Sequence, residues 1–224
     1  MTNGGAMKKL VELLDSPYQS IKIPALRSVG NLLTGNNEQT QLVISYGVLQ
    51  QFATLLNSSH KGMKKEVAWS ISNITAGNRN QIQAVIDANL FPKLIEIISN
   101  EKSVDLRKEA FYACANALDG GSVEQVYYLI ELGIVIPFCD ALTSRDHGTL
   151  VVVLEGLAAI FKAAKKIEDC LKVVHIIESC GGVQKLELLK EHSNNEVVSA
   201  ALKVLDFIKK DKDEETSDTA IVMN

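Results

Sequence analysis

The sequence predicts an all-α protein, a right-handed α-solenoid built from repeated groups of helices. Three observations carry that prediction. A turn residue followed by apolar residues recurs at Gly5-Ala6-Met7, Gly47-Val48-Leu49, Asn89-Leu90-Phe91, Gly133-Ile134-Val135 and Gly181-Gly182-Val183, in steps of 42 to 48 residues. Only 5 % of the 224 residues are aromatic and 4 are proline, while Leu, Ile, Val and Ala are abundant, which suits helices better than sandwiches or barrels. No stretch long enough to compete alternates apolar and polar residues with the period of a strand.

Each turn opens a short amphipathic run such as Phe91-Pro92-Lys93-Leu94-Ile95-Glu96-Ile97-Ile98. Pro92 and Pro137 fall in the first turn of their runs, where a missing N–H costs no hydrogen bond. A polar break follows, as at Asn57-Ser58-Ser59, Asn100-Glu101-Lys102-Ser103 and Ser144-Arg145-Asp146. Longer helices are then predicted, roughly over 18–34, 61–76, 103–118, 146–163 and 194–210. A third, shorter run, for example Gln81 to Ala88, leads back to the next turn. Three helices in about 42 residues is the armadillo period. The expected units are a partial first repeat over 1–46, then 47–88, 89–132, 133–180 and 181–210. The stripe Met7, Leu10, Val11 and Leu14 has no covering unit before it and reads as part of a longer array. From 211 to 224 the chain is charged, then polar, without helical period, and is expected to be an acidic disordered tail.

A hydrophobic content of 46 % is enough for a packed core. The net charge of −4 and pI near 5.6 argue against nucleic acid as a direct partner and suit a positively charged ligand. No apolar stretch is long enough to span a bilayer and no secretory signal pattern opens the chain, so no membrane association is expected. Cys114, Cys139, Cys170 and Cys180 lack CxxC or zinc-like spacing and read as buried thiols in a reducing compartment. His60, His147, His175 and His192 are scattered, without Cys, Asp or Ser at catalytic spacing, and read as surface or structural residues. With no phosphate loop, metal cluster or nucleophile elbow, neither an enzymatic activity nor a cofactor is expected.

What does repeat is a pair of side chains. Asn31, Asn73 and Asn116 lie 42 and 43 residues apart, each near the end of a predicted long helix. Four residues before them stand Arg27, Trp69 and Tyr112, and i and i+4 share a helix face. An amide can bind the backbone of an extended peptide, and an aromatic face can hold an alkyl stem and its cation. Glu66 and Glu109, three residues before Trp69 and Tyr112, fall on the adjoining face and can accept a guanidinium or ammonium. The next long helix has Glu155 and Ala159 in the ladder positions, so the ladder stops after Asn116. The rungs are therefore unequal, and the site is centred on Trp69 and Asn73. A few rungs, each stabilising by about 1 kcal/mol, imply micromolar affinity.

The stretches Pro24-Ala25-Leu26-Arg27-Ser28-Val29-Gly30-Asn31, Lys65 through Gly77 (KEVAWSISNITAG) and Gly120-Gly121-Ser122-Val123-Glu124-Gln125 resemble importin-α, the karyopherin adaptor of nuclear import, and the resemblance covers about 1–210. It implies a shuttling protein of cytoplasm and nucleus that binds basic nuclear localisation signals at the minor site, the smaller of two signal pockets. The major site would lie in repeats upstream, and importin-β would engage only an N-terminal segment that this sequence lacks. Thr40 and Thr34, with the carbonyl of Leu33, resemble the family's lysine pocket, and Ser72 is a further polar contact. By the family pattern Arg27 replaces Trp at the boundary between the two sites and pairs with Glu66, while Tyr112 stands where Trp is usual. The last repeats and the acidic tail of the family receive an export receptor and a nucleoporin, and the corresponding region here is Glu178 to Lys203, with Glu191, His192, Asn195 and Glu196. The competing reading is an armadillo scaffold of the signalling or adhesion type, whose grooves are typically basic. Glu66, Glu109 and the net charge of −4 point the other way.

Overall fold

The computed structural model describes residues 4–167 and 169–222, with side chains described over 5–167 and 169–210. Among the described residues there are helices and no strand. They form two compact units, divided between Gly121 and Ser122. The first contains α1 (Gly4–Glu12), α2 (Gln19–Leu32), α3 (Asn37–Ser45), α4 (Val48–Leu56), α5 (Lys61–Thr75), α6 (Arg79–Asp87), α7 (Phe91–Asn100) and α8 (Val104–Gly120). The second contains α9 (Val123–Glu131), α10 (Val135–Ala141), α11 (His147–Ala164), α12 (Cys170–Ser179), α13 (Gly182–Leu188) and α14 (Asn195–Val222).

The recurring turn residues earn their place through backbone geometry. Gly47, Gly133 and Gly181 have φ of 82°, 82° and 69°, and Asn89 has φ of 53°. This left-handed region suits glycine, and asparagine is among the few other residues that enter it at modest cost. Gly5, the first member of the series, lies instead inside α1. The short helix that closes each of the first three units starts on a capping box. Asn36 with Gln39, Asn78 with Gln81 and Ser122 with Gln125 exchange side chain-to-backbone hydrogen bonds in both directions. The long helices are capped individually. His60 Nδ1 accepts from the Met63 N–H at 3.1 Å, Ser103 Oγ from Leu106 at 3.5 Å, and Asp146 from Thr149 at 2.8 Å. Thus His60 has a structural role, as does His192, whose Nδ1 accepts from the Asn194 N–H at 3.1 Å.

In the first unit α2 packs on α5 and α5 on α8, so the three long helices lie side by side. Their inward faces bury Leu26, Val29, Val67, Ile71, Ile74, Leu106 and Phe111, with Phe52 and Phe91 from α4 and α7 behind them. Each such fully buried side chain contributes roughly 1.5–3 kcal/mol. Of the stripe Met7, Leu10, Val11 and Leu14, Leu10 is half-buried and the other three are buried where α1 and the short 3-10 turn after it pack on α2. In the second unit α11 packs on α14, with Phe161 stacked on Phe207 at a centroid distance of 5.6 Å. Cys114 and Cys139 are buried and Cys170 and Cys180 half-buried, none in a disulfide, and burial pushes the Cys114 thiol pKa up.

The backbone of α14 continues as helix to Val222, through a segment expected to lack structure. Nothing between Asn195 and Val222 is proline or glycine, and acidic and basic residues recur at helical spacing, as in the Lys210–Asp206 pair at 2.6 Å. Residues 223 and 224 of the expected tail lie outside the described residues.

Candidate functional site

Side by side, α2, α5 and α8 present a groove of about 350 Å³ lined by Arg27, Asn31, Lys65, Glu66, Trp69 and Glu109. Five of these six were expected from the ladder pattern; Lys65 was not. It lies four residues before Trp69, so its place on the same face was legible in the spacing. Its ammonium is 3.5 Å from Asp105, the next long helix over.

Arg27 and Glu66, 39 residues apart, form an ion pair with Nη2 donating to Oε1 at 2.9 Å. The arginine is 65 % exposed and the glutamate 22 %. Hydrogen bonding to Glu66 raises the Arg27 pKa further above its ordinary value. Glu109 is half-buried, and burial pushes its carboxyl above the ordinary range although Lys65 and Lys108 pull it back. The groove thus holds one carboxylate with a cation against it and another that is incompletely compensated.

Trp69 is half-buried, with its benzo edge against the backbone of α2. A Cβ at Gly30 would stand 2.4 Å from Trp69 Cζ3 and 2.9 Å from Cε3. Gly30 lies in the stretch that carries the family resemblance, but only the folded packing reveals what its missing side chain does.

The remaining expected residues are placed beside the groove rather than in its lining. Ser72 is buried and its hydroxyl donates to the Trp69 carbonyl at 2.7 Å. The Asn116 amide donates to the Ser72 carbonyl at 3.0 Å, which ties α8 to α5 across 44 residues. The Asn73 amide nitrogen, one repeat earlier, is buried without a hydrogen-bond partner. Leu33 and Thr40 are buried, the Thr40 hydroxyl reaching the Leu33 carbonyl at 3.4 Å, and Thr34 donates to the Asn31 carbonyl at 2.8 Å. Tyr112 is half-buried on α8.

A family model described as an armadillo/beta-catenin-like repeat matches residues 36–76, and one described as an atypical armadillo repeat matches 172–221. Among solved structures, a designed armadillo repeat protein superposes with a TM-score of 0.82 at 29 % identity, covering 91 % of this chain and 82 % of that one. Another, a designed armadillo repeat protein in complex with the peptide (KR)4, has a TM-score of 0.69 at 26 % identity over 90 % of this chain and 99 % of its own. The fold is therefore an α-solenoid of armadillo repeats. Importin subunit alpha-1b of Oryza sativa subsp. japonica is 40 % identical over 208 residues, 90 % of this chain and 39 % of that protein. Importin subunit alpha-3 of Arabidopsis thaliana is 38 % identical over 96 % of this chain and 42 % of its own length. Over nearly its whole length the chain is similar to importin-α proteins. It spans about two-fifths of the length of these relatives.

Proposed function

We propose that the chain serves nuclear import as an adaptor that holds a Lys/Arg-rich localisation signal, extended along the groove of α2, α5 and α8. The observation that carries this reading is the meeting of the Trp69 indole with the carboxylates of Glu66 and Glu109 in one groove. An indole face takes the alkyl stem and cation of one basic side chain, and the carboxylates take the charge of it and its neighbour. Glu109 has the most to gain, because a ligand cation offsets its desolvation. Asn31 is exposed at the groove and can hold the peptide main chain. The unspent donor of Asn73 favours it over Asn116, whose donor already serves Ser72, as the rung for a peptide carbonyl. Thr34 and Thr40 stand about the Leu33 carbonyl at the end of α2, which can still accept from a lysine ammonium, and Ser72 lies within the Trp69 helix. The (KR)4 peptide held by a designed armadillo protein of the same architecture supports a basic ligand.

Shuttling between cytoplasm and nucleus, and docking of an export receptor and a nucleoporin on the second unit between 178 and 203, belong to the same proposal. Titration of a Lys/Arg-rich peptide tests the central claim. Wild type is expected to bind with micromolar affinity, and Trp69→Ala to weaken it by roughly tenfold, about 1.4 kcal/mol. Equal affinities, or a preference for an acidic peptide, would refute it.

A further inference from the structure

Glycine is the poorest helix former after proline, yet Gly30 sits in the last turns of α2 with ordinary helical backbone. Conformational freedom does not account for it, since the left-handed glycines are Gly47, Gly133 and Gly181. Space does. A Cβ at residue 30 would meet three heavy atoms at 2.4, 2.9 and 2.9 Å, two of them in the Trp69 ring and the third Ser70 Oγ. Ser70 cannot readily yield, because it is fully buried and its hydroxyl donates to the Glu66 carbonyl at 2.7 Å. The indole would have to give way by about 1 Å to regain van der Waals contact.

We propose that Gly30 is the positioning residue for Trp69: its bare backbone is the seat on which the indole lies, and this seat sets the depth of the groove between Arg27, Glu66 and Glu109. With a methyl group there, the ring is lifted off α2 toward the space that the alkyl stem of a basic ligand would occupy. The inference rests on the reading of the groove as a basic-peptide site, but the displacement of the ring can be measured with no peptide present.

Trp69 is the single tryptophan of the chain, so intrinsic emission reports on this ring alone. The test compares wild type, Gly30→Ala, Trp69→Ala and the double variant in emission, thermal unfolding and titration with a Lys/Arg-rich peptide. Gly30→Ala is expected to shift the emission maximum and to weaken peptide binding by roughly 2- to 30-fold, the span of a cation–π contact. In the Trp69→Ala background the same glycine change should alter affinity by less than about twofold, because the ring it displaces is gone. Unchanged emission, or losses that simply add, would overturn the proposal. Should Gly30→Ala not fold, folding of the double variant supports the seat, since the vacated indole volume accepts the methyl; failure of both overturns it. If wild type ignores the basic peptide while the emission shift and the coupling in thermal stability persist, the ligand reading fails and the seat stands.

Discussion

At Glu109, burial opposes the negative charge more strongly than Lys65 and Lys108 support it, and the carboxyl titrates above its ordinary value. A carboxyl raised by folding favours its neutral form in the fold, so its charge weighs against stability above that raised value, and the penalty is relieved as pH falls through it. Two outcomes follow at this residue. Glu109→Gln should raise the thermal midpoint slightly at neutral pH, an effect kept small by solvent screening at a half-exposed site, while weakening a basic peptide. In wild type, peptide affinity should fall as pH drops through the raised carboxyl, beginning above the ordinary carboxylate range, and in Glu109→Gln this early part of the fall should vanish. Titrations across about pH 4 to 8 read both. The neighbouring Arg27–Glu66 pair was implied by the family resemblance, and it forms because Glu66 lies one turn before Trp69, the repeat counterpart of Arg27. The Gly30 seat was not, since a missing side chain leaves no pattern to find.

Among the elements, the turn residues at 47, 89, 133 and 181 share one backbone state, which the sequence marks by small residues followed by apolar runs. Gly47 has open space around its Cβ position, so an alanine there would meet no clash and only the left-handed backbone would resist it. Gly47→Ala should therefore cost about 1 kcal/mol, and Asn89→Gly should be neutral or mildly stabilising. For a chain of this length the first corresponds to a fall of roughly 2–4 °C in thermal midpoint. The link from α7 to α8 depends on charge instead. Glu101 is only 13 % exposed and accepts from Lys64 at 3.0 Å and from the Ser103 N–H at 3.2 Å. Lys64 first, then Ser103, hold its carboxyl down to about 2. A carboxyl lowered by folding contributes stability above its unfolded value, and that contribution is lost as pH falls through the folded one. The midpoint difference between wild type and Glu101→Gln should be full above about pH 5 and gone near pH 2. Helix ends were less legible than helix centres. α8 runs to Gly120 before the backbone extends at Gly121, and α14 runs on through a charged segment, because neither meets a proline or a left-handed residue that would stop it earlier.

For the whole molecule, the repeat period was sufficient to predict the architecture, because one repeat length places the same face of successive long helices together. Contacts at near-repeat spacing, such as Gln81 Nε2 donating to the Asn37 carbonyl at 2.8 Å and Asn116 to Ser72, follow from that period but depend on side-chain choices that the period alone does not decide. Asn73 and Asn116 occupy equivalent ladder positions, yet one amide is spent within the protein and the other is not. Charge acts at the same scale. A chain of net charge −4, whose two groove glutamates stand beside Arg27 and Lys65, should attract a basic peptide chiefly through its overall charge, over distances that salt screens. The screening length falls from about 10 Å at 0.1 M salt to about 3 Å at 1 M. Association of a Lys/Arg-rich peptide should then slow by roughly tenfold or more across that range, with a smaller change in dissociation. The contact between an alkyl stem and the indole is largely indifferent to salt, so the loss of affinity on Trp69→Ala should be about the same factor at 1 M as at 0.1 M. Measured as on- and off-rates for wild type and Trp69→Ala at both salts, a ratio of affinities between the two proteins that persists at 1 M, while both affinities fall, places the indole at the ligand. An association rate that rises with salt would mean that the groove repels a basic peptide, as an armadillo scaffold for acidic partners would.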